Sequence, residues 1–510
     1  MSIYKRMKRY IDKGLGILFR YLPFALFLLV LLFSFFARPA AEDLSIHHYD
    51  KVFGVSGNIR SFYHNECSRY FSFPLIFVLL DGRFLLTHYY LVALFLLLSL
   101  WGVLFLSTRS LGRVLFSAGF SGKKCAWLST VLLLAIYSML FQPAGVIYWI
   151  SGSMTYLLSF ILFALLMMLL LRAAGKGRMA VRDFIFVLLL GVAAAGSNEI
   201  TLFFLILSLL WVQAVYYSVY GKLWWVVNLL GLIVAGCFIA FIIPGGTRHR
   251  AGNFMLNFSI GHGVLVGIVY GCWIMVRALG SPLVWLCMVM AGYAGSITGP
   301  AIRNKLAGSK PFHPLVFLAA IPSGVMFFYF MVYTFSGEIL PGRAKDLLLF
   351  YIFFLLLAAA FSYGLRSGFG IRAVPGLFRH PLAKLCVVVV FLASGLVRGA
   401  ISNLVSGYLY NQVMDKRENE IADARDKGKH TVTLSSYAED YAAVLQGLPK
   451  TVKQLAGKAG MYPSFIFYSD PLADTALYIH FYAGYEGIDS INYLGRRYGK
   501  AGMEKSEQIK

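Results

Sequence analysis

The chain has 510 residues, of which 59% are hydrophobic and 14% charged, with a mean hydropathy of +0.71 and a formal net charge of +23. Soluble domains carry roughly 25% charged residues, so this composition cannot supply a water-facing exterior and excludes a soluble fold. The excess of Lys and Arg does not point to nucleic acid, because it falls in short clusters between apolar runs, as in the loops of membrane proteins.

In chain order, apolar runs long enough for a helical span are expected near 21–37, 86–107, 126–142, 155–172, 183–197, 201–220, 223–243, 281–299, 314–334, 347–363 and 382–400. Backbone groups in hydrocarbon must be satisfied within their own segment, and these runs lack the alternation of a membrane barrel, so helices are predicted. Lys5, Arg6, Lys8, Arg9, Lys13 and Arg20 precede the first run, and basic residues recur in every second loop. The N-terminus is therefore placed in the cytoplasm. The segment 255–276 is apolar but interrupted by Asn257, Gly261, His262, Gly263 and Gly267. Leaving it out of the membrane keeps most basic loops inside, giving about eleven spans with the C-terminus outside. Expected, then, is an all-α polytopic membrane protein: a transmembrane domain over 1–405 with a long outer loop at 38–85, and a small extracytoplasmic domain over 406–510. In the loop, Phe71 to Leu80 is apolar enough to lie along the interface; in the C-terminal domain, Asp415 to Lys429 reads as a charged helix and Thr431 to Leu434 as a strand. Six cysteines stand singly, and His47 with His48 forms the one adjacent histidine pair, so no metal-ligand spacing is present in the sequence.

Polar residues that could carry chemistry collect in the outer loops. Glu42 and Asp43 follow the first span after Arg38, Pro39, Ala40 and Ala41, which holds them near the outer interface. A carboxyl at an apolar boundary beside a second acid has a raised pKa and can take a proton from a hydroxyl; a helix cap, or an ion pair to Arg60 or Arg69, is the other reading. Arg248, Arg250 and Arg343 belong at headgroup depth, where guanidinium groups bind phosphate oxygens bidentately. Arg398 falls at the end of the last span, as a functional cation or a snorkelling one. Asn198 and Glu199 open a helix, as hydroxyl-orienting groups or as its cap. Tyr148 and Trp149 offer a stacking platform for a sugar or an ordinary interfacial belt.

The acidic pair after the first span, Arg69-Tyr70, the turn from Tyr148 to Ser153, the step Ser197-Asn198-Glu199, the loop Gly246 to Arg250 and the tail Ala476 to Ile491 together resemble the GT-C superfamily of bacterial membrane glycosyltransferases. The first loop departs from many relatives in having Glu-Asp for Asp-Asp and Glu66-Cys67-Ser68 before Arg69. The resemblance implies an inverting transferase of the bacterial cytoplasmic membrane, moving a sugar from a polyprenyl-phosphate donor to a glycan or glycolipid acceptor on the outer face. It implies Asp43 as the base with Glu42 as its neighbour, Arg248, Arg250, Arg343 and Arg398 on the donor phosphate, and Arg69, Tyr148, Trp149, Asn198 and Glu199 toward acceptor or sugar. A divalent metal serves some branches and not others. Its partners would be the lipid-linked donor, the acceptor and membrane lipids, with no nucleic acid; the competing expectation is a transporter or flippase for lipid-linked sugars or small molecules.

Overall fold

A computed structural model describes residues 3–65, 69–116, 120–176, 179–242, 260–336, 339–367, 380–435, 437–450, 453–454, 490–493 and 496–498. Among the described residues the chain is overwhelmingly helical, and seven helices are long and apolar enough to cross a bilayer, with four shorter apolar helices among them. This is a polytopic helical membrane protein. Helix α1 (Ile3–Leu32) ends in a 3-10 turn at Phe33–Phe36, and four short helices follow: α2 (Ala41–Phe53), α3 (Val55–Asn65), α4 (Ser72–Asp81) and α5 (Arg83–Thr87). Then come α6 (Tyr90–Leu115), α7 (Gly122–Met139), an irregular helical stretch over 144–157, α8 (Leu158–Lys176), α9 (Val181–Ala195), α10 (Glu199–Tyr220) and α11 (Trp225–Ile242). After them the chain forms α12 (Ile260–Leu279), α13 (Pro282–Ser296), α14 (Pro300–Ala307), α15 (Pro314–Ser336), α16 (Gly342–Ser367), α17 (Pro381–Ala393) and α18 (Leu396–Asp426). Strand β1 (Thr431–Leu434), α19 (Tyr437–Gln446), β2 (Ser490–Tyr493) and β3 (Arg496–Tyr498) close the described chain, β1 pairing parallel with β2 and β2 antiparallel with β3.

Two expectations change. The segment 255–276, left out of the membrane to keep the basic loops inside, overlaps α12 (Ile260–Leu279), a 20-residue helix of spanning length and composition. Its glycines are a packing stripe: a methyl group at Gly267 would stand 2.7 Å from the Met326 carbonyl oxygen of α15, and Gly263 and Gly271 likewise face Phe330 and Met326. Small residues let two helices approach backbone to backbone where no hydrophobic force separates helix from lipid. The predicted span at 382–400 is cut at Gly395, whose φ of +74° begins a new helix, so Arg398 lies in the first turn of α18. That helix runs without interruption through the expected charged helix to Asp426. The apolar stretch Phe71 to Leu80 forms α4 from Ser72 onward, with Phe73, Ile76, Phe77 and Leu80 buried in the core and Val78 exposed on the other side.

The 144–157 stretch is the chief irregularity. Two π-helical turns, Ala144–Tyr148 and Ser153–Leu157, flank a helical turn at Ile150–Gly152, and every residue from Ala144 to Leu157 is buried. The break before it is capped from both sides. Arg277 donates to the carbonyls of Met139 and Leu140, at 2.9 and 2.7 Å, and the Asp346 carboxylate accepts the Phe141 and Gln142 N–H groups at 2.6 and 2.8 Å. Orphan carbonyls thus meet a cation and orphan amides an anion, each matching the sign of the helix end. Gly152 sits directly against the Gly145 carbonyl oxygen, leaving no room for a side chain. Gly152→Ala is expected to destabilise the protein by about 3 kcal/mol or more through backbone displacement, read as a lowered melting temperature in detergent.

Candidate functional site

The first acidic pair sits at the start of α2, on the short connection from α1. Asp43 is completely buried and accepts four hydrogen bonds: from the Tyr89 hydroxyl at 2.5 Å, the Ser151 hydroxyl at 2.6 Å, the Ser151 N–H at 3.3 Å and the Ala40 N–H at 3.0 Å. The Ala40 bond caps α2, as the cap reading of the sequence anticipates. Tyr89 also accepts the Ile150 N–H at 2.8 Å, so Asp43 and Tyr89 together fasten the first loop to the irregular stretch. Burial raises the Asp43 carboxyl pKa, opposed by the hydrogen bonds from Ser151, Tyr89 and Ala40. With its oxygens occupied in this way, Asp43 is built as an anchor rather than as a group open to a substrate.

Glu42, the neighbouring residue, is half-buried. Burial raises its pKa; the positive charge of Arg343 opposes this most strongly, Asp43 adds to the rise, and Arg69 opposes it. Arg343, in the first turn of α16, stands 4.6 Å over the Trp149 ring, and its Nε is buried without a hydrogen-bond partner among the described residues. Arg69 donates to Glu199 Oε2 at 3.0 Å and lies over the rings of Phe73 and Tyr156 at 5.6 and 5.9 Å. The strand of chain after Arg69 is tied to the α9–α10 turn: the Phe71 N–H donates to the Gly196 carbonyl at 3.0 Å and the Ser72 hydroxyl to the Ser197 carbonyl at 2.8 Å. Tyr70 packs against Gly196, where a Cβ would collide with its ring. One end of the bundle therefore gathers three acids, two arginines and a Trp149–Tyr156 floor.

The sequence-predicted residues divide accordingly. Glu42, Asp43, Arg69, Trp149, Glu199 and Arg343 come together. Asn198 is also present, but its amide is consumed: it donates to the Thr155 carbonyl and the Ser159 hydroxyl, both at 2.7 Å, and accepts the Thr201 N–H as the cap of α10. It holds α10 against the 144–157 stretch and serves as the helix cap, the other role the sequence offers for this step. Tyr148 is 2% exposed with its hydroxyl donated to the Val30 carbonyl at 2.8 Å, so its ring is a core ring and not a stacking platform. Trp149 is equally buried and carries the Arg343 guanidinium on its face. Arg248 and Arg250 lie outside the described residues, as does the Ala476 to Asp489 part of the tail; Arg398 is placed by its helix alone, and its side chain is outside the description. Among the described residues no group of three or more His, Cys, Asp or Glu side chains could hold a metal ion.

Tyr89 and Asp346 were not legible as site residues. Tyr89 sits in His88-Tyr89-Tyr90 at the edge of an apolar run, where an interfacial aromatic is unremarkable. Asp346 carried the better signal, an acid opening an apolar run behind Arg343 and Lys345, and such intramembrane charges are functional suspects by default. Compared with known proteins, the chain matches no protein-family model, no curated protein and no solved structure.

Proposed function

We propose that the chain is a membrane glycosyltransferase that moves a sugar from a polyprenyl-phosphate donor to a hydroxyl of a glycan or glycolipid acceptor, with Glu42 as its general base. The observation that carries this reading is the pairing of a half-buried acid of raised pKa with Arg343 and Arg69 at one end of an apolar helical bundle. In the reaction, the acceptor hydroxyl oxygen attacks the anomeric carbon while Glu42 takes its proton. The bond from that carbon to the donor phosphate oxygen breaks, its electron pair leaves with the phosphate, and the anomeric configuration inverts. Arg343, and Arg248, Arg250 and Arg398 by the resemblance, supply positive charge where the leaving group gains negative charge. Asp43, Tyr89 and Ser151 keep Glu42 in register with the buried floor, and Glu199, held by Arg69, is the exposed carboxylate that can orient acceptor hydroxyls. This shifts the base from Asp43 to Glu42, because a base must reach its proton and Asp43 has no exposed surface.

Sidedness follows from the first span. Basic residues in the N-terminal part of α1, ahead of its apolar run, put the N-terminus in the cytoplasm, so the Phe36 end, and the acids with it, faces outward across the cytoplasmic membrane of a bacterial host. Arg38 donates to Asn411 and to Glu418 at 3.2 and 2.9 Å, and pairs with Asp415, so α18 and the C-terminal region share that outer side. A flippase reading draws on the break in the helix before residue 144 and on Asp346 buried beside it, since interrupted helices carry the sites of many transporters.

The test is transfer from a panel of radiolabelled polyprenyl-phosphate sugars to endogenous membrane acceptors, by purified protein in proteoliposomes. Label in the acceptor with wild type and none with Glu42→Gln is the expected result. Label that crosses the bilayer still attached to its lipid, with Glu42→Gln behaving like wild type, would replace the enzyme reading with the transporter one.

A further inference from the structure

Helix α2 has an apolar side that the protein does not cover. Its buried face carries Leu44 and Ile46 together with Asp43, His47 and Asp50, the three polar residues with exposures of 0, 5 and 3%, while its open face carries Tyr49, Val52 and Phe53 at 40, 58 and 63%. A helix packed on a protein and washed by water carries polar residues on its open face. The buried polar groups are met: the His47 Nδ1–H donates to the Leu80 carbonyl at 2.7 Å, and Asp50 accepts from the Asn58 amide at 2.8 Å. On the open face the Phe53 ring stacks on Tyr49 of the same helix, 6.1 Å between centres, and with Val52 the two rings form an exposed apolar strip.

The attachments of α2 say what covers that strip. At its start, only four residues separate it from the end of the first spanning helix at Phe36, a reach of roughly 13 Å at most. At its middle, His47 is tied to Leu80 of α4, which α5 joins to α6, the second spanning helix. Beyond it, the Tyr63 hydroxyl of α3 donates to the Ala240 carbonyl near the end of the apolar helix α11, at 3.0 Å. Three ties to the ends of apolar helices, one of them a spanning helix, hold α2 and α3 across the end of the bundle, at the level where hydrocarbon gives way to headgroups. Tyr and Phe suit that depth, and Lys51 and Arg60, both exposed, flank the apolar face with positive charge.

We infer that α2 is an interfacial helix whose partner is the lipid surface itself, with Tyr49, Val52 and Phe53 seated among the upper acyl chains and Lys51 and Arg60 on anionic headgroups. The inference is independent of the reaction assigned to Glu42. It concerns how the acid-bearing loop is held: α2 turns Leu44, Ile46 and its buried polar residues toward the protein and Tyr49, Val52 and Phe53 toward the bilayer, so the site opens at membrane depth.

The experiment places a photoreactive p-benzoylphenylalanine at position 53 and, in a second variant, at position 52, in the full chain reconstituted into nanodiscs of phosphatidylcholine and phosphatidylglycerol. Both positions are exposed, so neither change disturbs packing. On irradiation, intact-mass spectrometry is expected to show protein carrying one added phospholipid at both positions, with phosphatidylglycerol enriched over its share of the disc. Absence of a lipid adduct at both positions, or crosslinks only to a second copy of the chain, would overturn the inference.

Discussion

Asp43→Ala is expected to destabilise the protein by about 3–5 kcal/mol and to abolish transfer as a consequence. The alanine leaves the Tyr89 hydroxyl, the Ser151 hydroxyl and the Ser151 and Ala40 N–H groups without their acceptor in a place no water reaches. Each buried donor so stranded costs roughly 1–3 kcal/mol, partly relieved by relaxation of the two hydroxyls. Asp43→Asn keeps the shape and one acceptor oxygen and should lose less, about 1–2 kcal/mol. Melting curves in one detergent give the order wild type, then Asp43→Asn, then Asp43→Ala. An Asp43→Ala protein as stable as wild type but without transfer would make Asp43 the base and not the anchor.

The second large effect belongs to Glu42. Glu42→Gln should lower kcat by about 10²–10⁴-fold, the usual contribution of a positioned general base, with an unchanged fold. Its charge state gives a further signature. Burial is the main cause of the raised Glu42 pKa and Arg343 the main opposing influence. A base acts when deprotonated, so transfer should rise with pH along an acid limb set by Glu42, above the ordinary carboxylate range. Arg343→Ala removes a charge that favours the carboxylate and should move that limb to higher pH while also weakening donor turnover. A limb that stays in place when Arg343 is removed would separate the two residues. For stability, the direction is opposite to that of the usual acid. Because the folded-state pKa is raised, the contribution of Glu42 to stability is fully present below its unfolded pKa and is lost as pH rises through the folded one. Glu42→Gln should therefore be slightly more stable than wild type at neutral pH and indistinguishable from it in acid.

Composition and hydropathy were sufficient for the class of protein, because a bilayer span is a local property: about 20 apolar residues in a row need no partner to be recognised. Six of the seven long spanning helices coincide with expected runs, and Thr431–Leu434 is a strand as expected. Where the expectation fails, the failing signal is a residue type whose meaning depends on its neighbour. Glycine in α12 looks like a weakened helix until α15 lies against it, and Gly395 looks like one more apolar-run glycine until its positive φ separates α17 from α18.

The convergence of Glu42, Arg69, Trp149, Glu199 and Arg343 at one level was legible from loop position alone, since neighbouring span ends on the same face must meet. The division of labour inside that cluster was not. Glu42 and Asp43 are adjacent in sequence and chemically alike, and which of them is buried depends on the phase of α2 against Tyr89 and Ser151, residues 46 and 108 positions away. The same phase decides that Tyr49, Val52 and Phe53 point outward, and comparable long-range partners fasten Asn198 and Tyr148 into the core. Sequence by itself determined the bilayer as solvent and the end of the bundle where the polar residues gather; tertiary structure decided which side chain is anchor, which is open and which faces lipid, because rotation of a helix about its axis is set by what packs against it and leaves no trace in a single chain's composition.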